Sequence, residues 1–119
     1  MKASAAERKI HAILEYADVP FEEEYSFPDL VAESGRALRF DFAIFDDNGE
    51  LLCLIEYNGR QHYTQSNLFG GSTGLSRQRH NDAAKRSYCQ KKGIRLHTIP
   101  YTEEPNLSYD YLMRLIYDY

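Results

Sequence analysis

The chain has 119 residues and a formal net charge of −4, enough length for one domain with a modest hydrophobic core. No Pro-, Gly- or Ser-rich linker divides it, and no apolar run approaches the length of a transmembrane helix, so we expect one intracellular, non-membrane domain over residues 1–119. The two cysteines favour free thiols in a reducing compartment such as the cytoplasm over a disulfide framework.

The charges are segregated along the chain. Residues before position 60 include five basic and thirteen acidic side chains, a net −8, whereas residues 60–95 include eight basic side chains against the single acid Asp82, a net +7. A domain with this polarity can present one basic face to a phosphate backbone. A solvated helix that is rich in Lys and Arg explains the same pattern without nucleic acid.

The N-terminal part predicts a helix followed by a strand. Apolar residues recur at helical spacing from about residue 5 to residue 17, and Ser4 with Glu7 three residues later matches a capping box. Pro20 ends this helix, and alternation over residues 21–27 predicts a strand whose apolar odd-numbered residues share one face. Residues 28–37 are expected to form a loop.

A β-hairpin is predicted over residues 38–58, on either side of Asn48-Gly49. This dipeptide favours a two-residue type I′ turn, which pairs residues whose numbers sum to 97. Asp41 then lies opposite Glu56 on the same sheet face, about 5 Å apart at Cβ. Two carboxylates this close in an apolar hairpin repel each other unless a cation lies between them, and oxygen ligands at that spacing suit Mg²⁺ or Mn²⁺.

The remaining elements complete an α/β pattern. A polar, glycine-rich loop is expected over residues 59–74, then a basic helix over residues 75–92 that ends at Gly93, a strand over residues 94–100 and a last helix over residues 108–119. The order α-β-β-β-α-β-α predicts a mixed sheet flanked by helices. Alternation gives the hairpin one apolar face that packs against a helix, formed by Leu38, Phe40, Phe42, Ile44, Cys53, Ile55 and Tyr57.

Asp41, Glu56 and the element order together resemble the core of the PD-(D/E)XK nuclease superfamily, whose restriction-endonuclease-like fold has an αβββαβ core. The segment FDFAIFDDNGELLCLIEYNGRQHY is similar to small phage and bacterial endonuclease-like proteins with a Glu-aromatic-(Asp/Asn)-Gly-x-Gln-His motif, which in turn are similar to very-short-patch-repair and Holliday-junction-resolvase-type enzymes. The resemblance spans nearly the whole chain and leaves the last helix as an extra C-terminal element. It implies a divalent-metal-dependent endonuclease that hydrolyses phosphodiester bonds in DNA.

The resemblance also implies the ligands of the metal. Asp41 and Glu56 would hold Mg²⁺ or Mn²⁺, with the backbone carbonyl of Tyr57 as a third ligand. The alternative is that Asp41 merely pairs with Arg39 or another basic residue, and that Glu56 is an ordinary solvent-facing side chain. That alternative is disfavoured because Glu56 ends the apolar run LLCLIEY, where an unpaired charge is costly.

The lysine that the superfamily places two residues after the second carboxylate is replaced here by Asn58. Asn58 can orient a water or a phosphate oxygen, but it supplies no positive charge. Lys85 on the basic helix is the first candidate for that charge, and Gln61 and His62 are candidates to position the nucleophile or contact phosphate. Gln61 as a plain loop residue and His62 as a surface histidine bonded to a carbonyl are the alternatives.

Other charged residues have two interpretations each. Glu7 resembles an acid that many of these nucleases have on the first helix near the metal, and the capping box explains it equally well. Asp82 resembles an acid that precedes the helix lysine in similar proteins, or it pairs within the helix with Lys85 or Arg86. Only those basic residues that share the face of Lys85 can reach the same phosphate backbone; the candidates are Arg60, Arg77, Arg79, Lys85, Arg86, Lys91 and Lys92.

Two alternatives to an independent endonuclease stay open. The chain could be a catalytically inactive module with the same fold that binds nucleic acid or protein, or it could be the nuclease subunit of a larger complex. Cleavage of both strands would call for a homodimer, since one small chain has one metal site. RNA is not excluded as a partner, and a phage origin fits the resemblance. A zinc site is disfavoured because no CxxC or HxxxH spacing joins the available residues, which are His62, His80, Cys89 and His97.

Overall fold

The computed structural model describes residues 4–59 and 72–117, with the backbone alone for residues 72–76. The elements in chain order are α1 (Ala5–Tyr16), β1 (Phe21–Val31), β2 (Ala37–Phe45), β3 (Leu51–Asn58), α2 (Ser72–Lys92), β4 (Arg95–Pro100), a 3₁₀ helix (Tyr101–Asn106) and α3 (Tyr109–Tyr117). The predicted element order and α/β class are confirmed, and the 3₁₀ helix is an addition. In the described part of the chain, none of the helices is long and apolar enough to span a membrane.

The four strands form one mixed sheet in the order β1-β2-β3-β4. The first two pairings are antiparallel and the third, between β3 and β4, is parallel. A parallel pair needs a crossover connection, and α2 lies between these two strands in the chain. The apolar residues form two clusters on opposite faces of the sheet, one with α1 and α3 and the other with α2.

The predicted N-cap of α1 and the predicted C-terminal glycine of α2 are both present. The Glu7 N–H donates to the Ser4 hydroxyl at 3.1 Å and the Ser4 N–H donates to the Glu7 carboxylate at 2.8 Å, so the capping box is confirmed. Directly after the last residue of α2, Gly93 has φ +72°, and the Ile94 N–H donates to the Cys89 carbonyl at 2.8 Å. Gly93 is therefore the C′ residue of α2, as predicted.

The loop predicted over residues 28–37 is wrong in its first half. Strand β1 continues to Val31, and its register with β2 becomes irregular between Ser26 and Val31. Pro28 lies inside this strand because β1 is at the edge of the sheet, where a missing N–H need not interrupt a ladder.

The predicted two-residue turn is also wrong, although the register that it implied is right. The Gly49 N–H donates to the Asp46 carbonyl at 3.0 Å and the Asp46 N–H donates to the Glu50 carbonyl at 2.8 Å, which makes a three-residue loop. The Asp46 carboxylate stabilises it by accepting from the backbone of Asn48 and Glu50, each at 2.9 Å. A bulge at Leu52 then restores the predicted register.

The paired residues show this compensation. Phe45 pairs with Leu51, one residue out of the predicted register, but Phe42 pairs with Ile55 and the intervening pairs agree with it. The extra loop residue and the bulge cancel, so the predicted register holds from Phe42 to Ile44. Asp41 and Glu56 directly follow the last regular pair, Phe42 with Ile55.

The single apolar face predicted for the first hairpin strand is wrong. Phe42 and Ile44 belong to the cluster with α1 and α3, whereas Leu38 and Phe40 belong to the cluster with α2. The change of face occurs at Asp41. This one strand therefore contributes a phenylalanine to the apolar layer on each side of the sheet.

Strand β1 changes face at the same level. Phe21 packs in the cluster with α1, whereas Tyr25 and Phe27 pack in the cluster with α2, so the shared face predicted for them is also wrong. Glu24 lies at the change, opposite Asp41 in the register, and has φ +52°.

Candidate metal centre

A cleft of about 470 Å³ lies where the ends of β2 and β3 face α2. It brings together four of the residues predicted to act in catalysis, namely Asp41, Glu56, Asn58 and Lys85. Among the described residues, the lining consists of Leu38, Asp41, Glu56, Tyr57, Asn58, Arg77, Gln78, Asn81, Asp82 and Lys85. Both carboxylates therefore face the same space.

Asp41 is held by a backbone hydrogen bond and lies in an unfavourable electrostatic environment. Its Oδ2 accepts the Tyr57 N–H at 2.7 Å. Partial burial raises the pKa of Asp41 to about 7, and the charges of Glu56 and Glu7 add to this, whereas the Tyr57 hydrogen bond and Lys85 oppose it. The ionised form of Asp41 is therefore disfavoured in the cleft.

Glu56 and Lys85 form an ion pair beside Asp41. The Lys85 amine donates to Glu56 Oε1 at 3.0 Å, and each side chain is only 13% exposed. The amine also lies 5.3 Å from the centre of the Phe40 ring. Burial raises the pKa of Glu56, and Lys85 opposes this increase. A lysine from α2 thus places its charge at the second carboxylate, as the sequence predicted.

Asn58 projects to the same face as Glu56, in agreement with strand alternation. Both residues also line a smaller cavity of about 50 Å³, which continues toward β4. Asp82 and Arg86 are part of that lining too. The negative charge of Asp82 raises the pKa of Glu56, so Asp82 lies close to the site as well as within α2.

The structure confirms the capping-box interpretation of Glu7, and its role beside the metal stays a prediction. Glu7 completes the capping box of α1, and its charge raises the pKa values of Asp41 and Tyr57. The Tyr57 hydroxyl donates to Glu104 at 3.5 Å. The first helix therefore brings a carboxylate toward the metal candidate from the opposite side of the sheet.

The predicted phosphate contacts separate by position. Arg77 lines the large cleft, and the exposed Arg86 lines the small cavity. Arg79 is exposed on α2, and among the described residues it is not part of either lining. Lys91 and Lys92 lie in the last turn of α2, where Lys92 contacts Asp29 at 3.5 Å. Three predicted site residues, Arg60, Gln61 and His62, lie outside the described residues, so their roles stay predictions.

Two polar residues of the cleft were missed in the sequence. Gln78 and Asn81 precede Lys85 by seven and four residues, so all three share one face of α2. Counting helical spacing back from Lys85 would have found them. In isolation, an Asn and a Gln within a basic helix resemble ordinary solvated residues.

The donors at the cleft fit a hard divalent ion. Within the described part of the chain, no three His, Cys, Asp or Glu side chains form a metal-binding group. Asp41 and Glu56 nevertheless supply carboxylate oxygens at adjacent positions, with the Tyr57 carbonyl as the predicted third donor. Mg²⁺ typically takes one or two carboxylates and completes its shell with water and phosphate oxygens. The residues present therefore fit Mg²⁺ or Mn²⁺.

The candidates for zinc are dispersed in the fold. His80 contacts Glu33 at 3.4 Å, Cys89 is buried in the cluster with α2, and His97 contacts Arg95 at 3.1 Å. Burial raises the pKa of the Cys89 thiol to about 11, which disfavours the thiolate that zinc requires. These three residues have separate local contacts.

Comparison with known proteins matches the chain to a family model and to a viral protein. A family model described as "Protein of unknown function (DUF2726)" matches residues 29–111, which include Asp41, Glu56 and Lys85 but not Glu7. The uncharacterized protein 094L of Frog virus 3 (isolate Goorha) is 43% identical over 72 residues, which cover 59% of this chain and 44% of the viral protein. The chain thus spans less than half the length of that relative. No solved structure gives a significant match.

Proposed function

Because the chain belongs to the DUF2726 family, which is described as having unknown function, we propose a function from the site itself: a divalent-metal-dependent DNA endonuclease with Asp41 and Glu56 as metal ligands. One observation carries the proposal. Two carboxylates from neighbouring strands face one cleft, and a lysine amine lies 3.0 Å from one of them. Carboxylates with an adjacent cationic side chain are the groups that metal-assisted phosphodiester hydrolysis uses.

The topology supports this proposal at the level of fold. The order α1-β1-β2-β3-α2-β4, with a parallel pair at the end of the sheet, resembles the αβββαβ restriction-endonuclease-like core, and α3 is the extra C-terminal helix. We propose that the chain has this core. The carboxylates would then lie on the second and third strands, where the resemblance places the metal ligands.

The chemistry follows from the charges in the cleft. When bound, a divalent ion would neutralise a scissile phosphate and lower the pKa of a water for in-line attack. Lys85 holds a positive charge beside Glu56 and would stabilise the charge that develops on the phosphate. Asn58 would orient a water or phosphate oxygen, and Arg77 would bind the nucleic-acid backbone at the mouth of the cleft.

Lys85 would take the role of the strand lysine that this chain lacks. A lysine at position 58 would extend from β3, whereas Lys85 reaches Glu56 from α2. Replacing Lys85 with Met should abolish cleavage. The double variant Lys85→Met with Asn58→Lys should recover part of it, because the charge returns to the same cleft from the strand.

A second candidate function is a module that binds nucleic acid or protein without turnover. The Lys85–Glu56 pair favours it, because this ion pair partly neutralises Glu56 without any metal. A nuclease subunit within a larger assembly is a related possibility, which the greater length of the viral relative favours. Cutting both strands of a duplex would also call for a homodimer.

Cleavage assays separate these functions. Purified protein would be incubated with supercoiled plasmid, single-stranded DNA, branched DNA and RNA, with Mg²⁺, with Mn²⁺ and with EDTA. The proposal expects metal-dependent nicking that falls at least about 100-fold in Asp41→Asn and Glu56→Gln. Asp110→Asn, at an exposed site on α3, is the matched control. Equal residual nicking in wild type and in both site variants would reject the enzyme.

A further inference from the structure

We propose that Glu24 is a positioning residue, whose left-handed backbone makes β1 and β2 change faces together and so holds Asp41 toward Glu56 in the cleft. The inference depends on the proposed function only in treating Asp41 as a metal ligand. It concerns a residue that is outside the cleft lining and that contributes no donor to the metal.

Two irregularities occur at the same position in the β1–β2 pairing: a left-handed residue and a change of face. Glu24 has φ +52°, and the β1–β2 ladder pairs Glu23 with Phe42 and Tyr25 with Phe40, which leaves Glu24 and Asp41 as opposed residues between two regular pairs. The Glu23–Phe42 pair faces α1, whereas the Tyr25–Phe40 pair faces α2.

The contacts of the flanking residues show the change of face. Glu23 contacts His11 of α1 at 2.6 Å, whereas Tyr25, two residues later, packs in the cluster with α2. Residues two apart in a regular strand share a face, so the backbone turns over at Glu24. Phe42 and Phe40 on β2 divide in the same way.

This change of face is what places two successive residues on the side of α2. Phe40 packs beneath the Lys85 amine, and Asp41 faces the cleft that Lys85 lines. In a regular strand, one of them would point to the other side. The change of face at Glu24 and Asp41 therefore places Asp41 on the same side of the sheet as Lys85 and Phe40, the residue on which the Lys85 amine packs.

The backbone of Glu24, rather than its carboxylate, is the important part. Its side chain contacts Arg39 at 3.7 Å, and the Glu24 and Arg39 side chains are 62% and 65% exposed, so this pair contributes little. The left-handed conformation is unfavourable for a residue with a Cβ, and most unfavourable for a β-branched one. Non-glycine residues held in this conformation are concentrated at functional sites.

A substitution that changes the backbone conformation of Glu24 should move the Asp41 carboxylate. The neighbours of Asp41 on β2 are fixed, since Phe40 and Phe42 are 0% and 1% exposed and belong to different clusters. The Asp41 carboxylate between them accepts a hydrogen bond from the Tyr57 N–H. A change in the conformation of Glu24 would therefore turn the Asp41 carboxylate before it displaces either phenylalanine.

Four substitutions separate the backbone from the side chain. Glu24→Gly and Glu24→Asn remove the carboxylate and tolerate a positive φ, whereas Glu24→Val and the milder Glu24→Ala disfavour it. Glu22→Val is the matched control, because Glu22 is exposed on β1 and pairs regularly with Ala43. The Ala variant keeps the comparison informative if the Val variant fails to fold.

Two measurements read the position of Asp41. The first is hydrogen exchange of the Tyr57 amide in metal-free protein, relative to the Leu54 amide in the core, which reports the Tyr57–Asp41 hydrogen bond without any metal. The second is the Mn²⁺ dissociation constant by calorimetry. A purely structural role for Glu24 would change both amides together and would leave Mn²⁺ binding by the folded protein unchanged.

The expected result is a split between the two pairs of variants. Gly and Asn should match wild type within about threefold in both measurements, and Val should lose about tenfold in Tyr57 protection and in Mn²⁺ affinity, with Ala between them. Normal values in the Val and Ala variants would overturn the proposal, as would equal losses in the Gly variant or in Glu22→Val. If wild type binds no Mn²⁺, the metal function fails, but the exchange of Tyr57 still decides whether Glu24 positions Asp41.

Discussion

The two faces of the sheet are filled in different ways. Among the described residues, the face under α1 and α3 has a cluster of twelve buried apolar side chains, whereas the face under α2 has six and adds the Lys85–Glu56 ion pair beside Asp41. Well-packed apolar side chains of the same size are usually at least as stabilising as a buried ion pair. The first face therefore contributes more to the stability of the fold, whereas the second has less apolar packing and keeps charged side chains in a cleft.

The largest expected effect lies on the apolar face. Leu112 is 0% exposed in the cluster with α1, so Leu112→Ala removes buried contacts and leaves a cavity. We expect a loss of about 3–4 kcal/mol in the free energy of unfolding, measured by urea denaturation. Arg114→Ala on the same helix is exposed and should change it by less than about 0.5 kcal/mol. A Leu112→Ala loss as small as the control would remove the distinction between the faces.

The next effect tests the ion pair on the opposite face. Lys85→Met leaves Glu56 without its 3.0 Å partner, and we expect a loss of about 2–3 kcal/mol in metal-free buffer. Adding Glu56→Gln to this variant should restore most of the loss, because the remaining charge is removed. Urea denaturation of the wild type, both single variants and the double variant gives the coupling energy. A double variant as unstable as Lys85→Met alone would show that the packing of Lys85 on Phe40 is what matters.

A third effect comes from the ionisation of Asp41. Its pKa is about 7 in the folded protein but near 3.9 in an unfolded chain, so between these values the folded state binds a proton that the unfolded state lacks. Stability from this group is therefore full below about pH 4 and decreases as the pH rises toward 7. Asp41→Asn removes this decrease, so its stability relative to wild type should rise as the pH increases from 4 to 8.

Thermal and urea denaturation at several pH values, in EDTA, would measure this difference. Asp110→Asn is an exposed control and should show none of it. A metal at the site requires the ionised carboxylate, so Mn²⁺ should stabilise wild type more at pH 8 than at pH 6 and should have little effect on Asp41→Asn. A flat difference between wild type and Asp41→Asn across the pH range would mean that Asp41 is ionised in the fold like an ordinary surface acid.

The same comparison explains which parts of the fold could be predicted from the sequence. Helix α1 was predictable because its signals are local, as the Ser4–Glu7 capping box and the apolar spacing show. The hairpin register was predicted with the wrong turn, and it holds from Phe42 to Ile44 because the bulge at Leu52 cancels the extra loop residue. That cancellation depends on how the strands pack and has no local signal.

The change of face at Asp41 could not be predicted for a related reason. The segment around Phe40 and Phe42 alternates regularly, and alternation predicts one buried face. Only the presence of helices on both sides of the sheet shows that each phenylalanine has a separate layer to fill. Gln78 and Asn81 were missed because helical spacing identifies a face only after one residue, here Lys85, has been located in the site.

The smallest expected effect concerns nucleic-acid binding on the face of α2. Arg77 and Arg79 are both exposed and two residues apart, but only Arg77 lines the cleft among the described residues. We expect Arg77→Ala to weaken binding of a short DNA duplex about three- to tenfold, measured by fluorescence anisotropy with Ca²⁺ in place of Mg²⁺, and to lower the salt dependence by about one phosphate contact. Arg79→Ala should change affinity less than about twofold. Equal losses in the two variants would show that DNA meets a diffuse basic surface, and that the charges in the cleft do not select where the backbone binds.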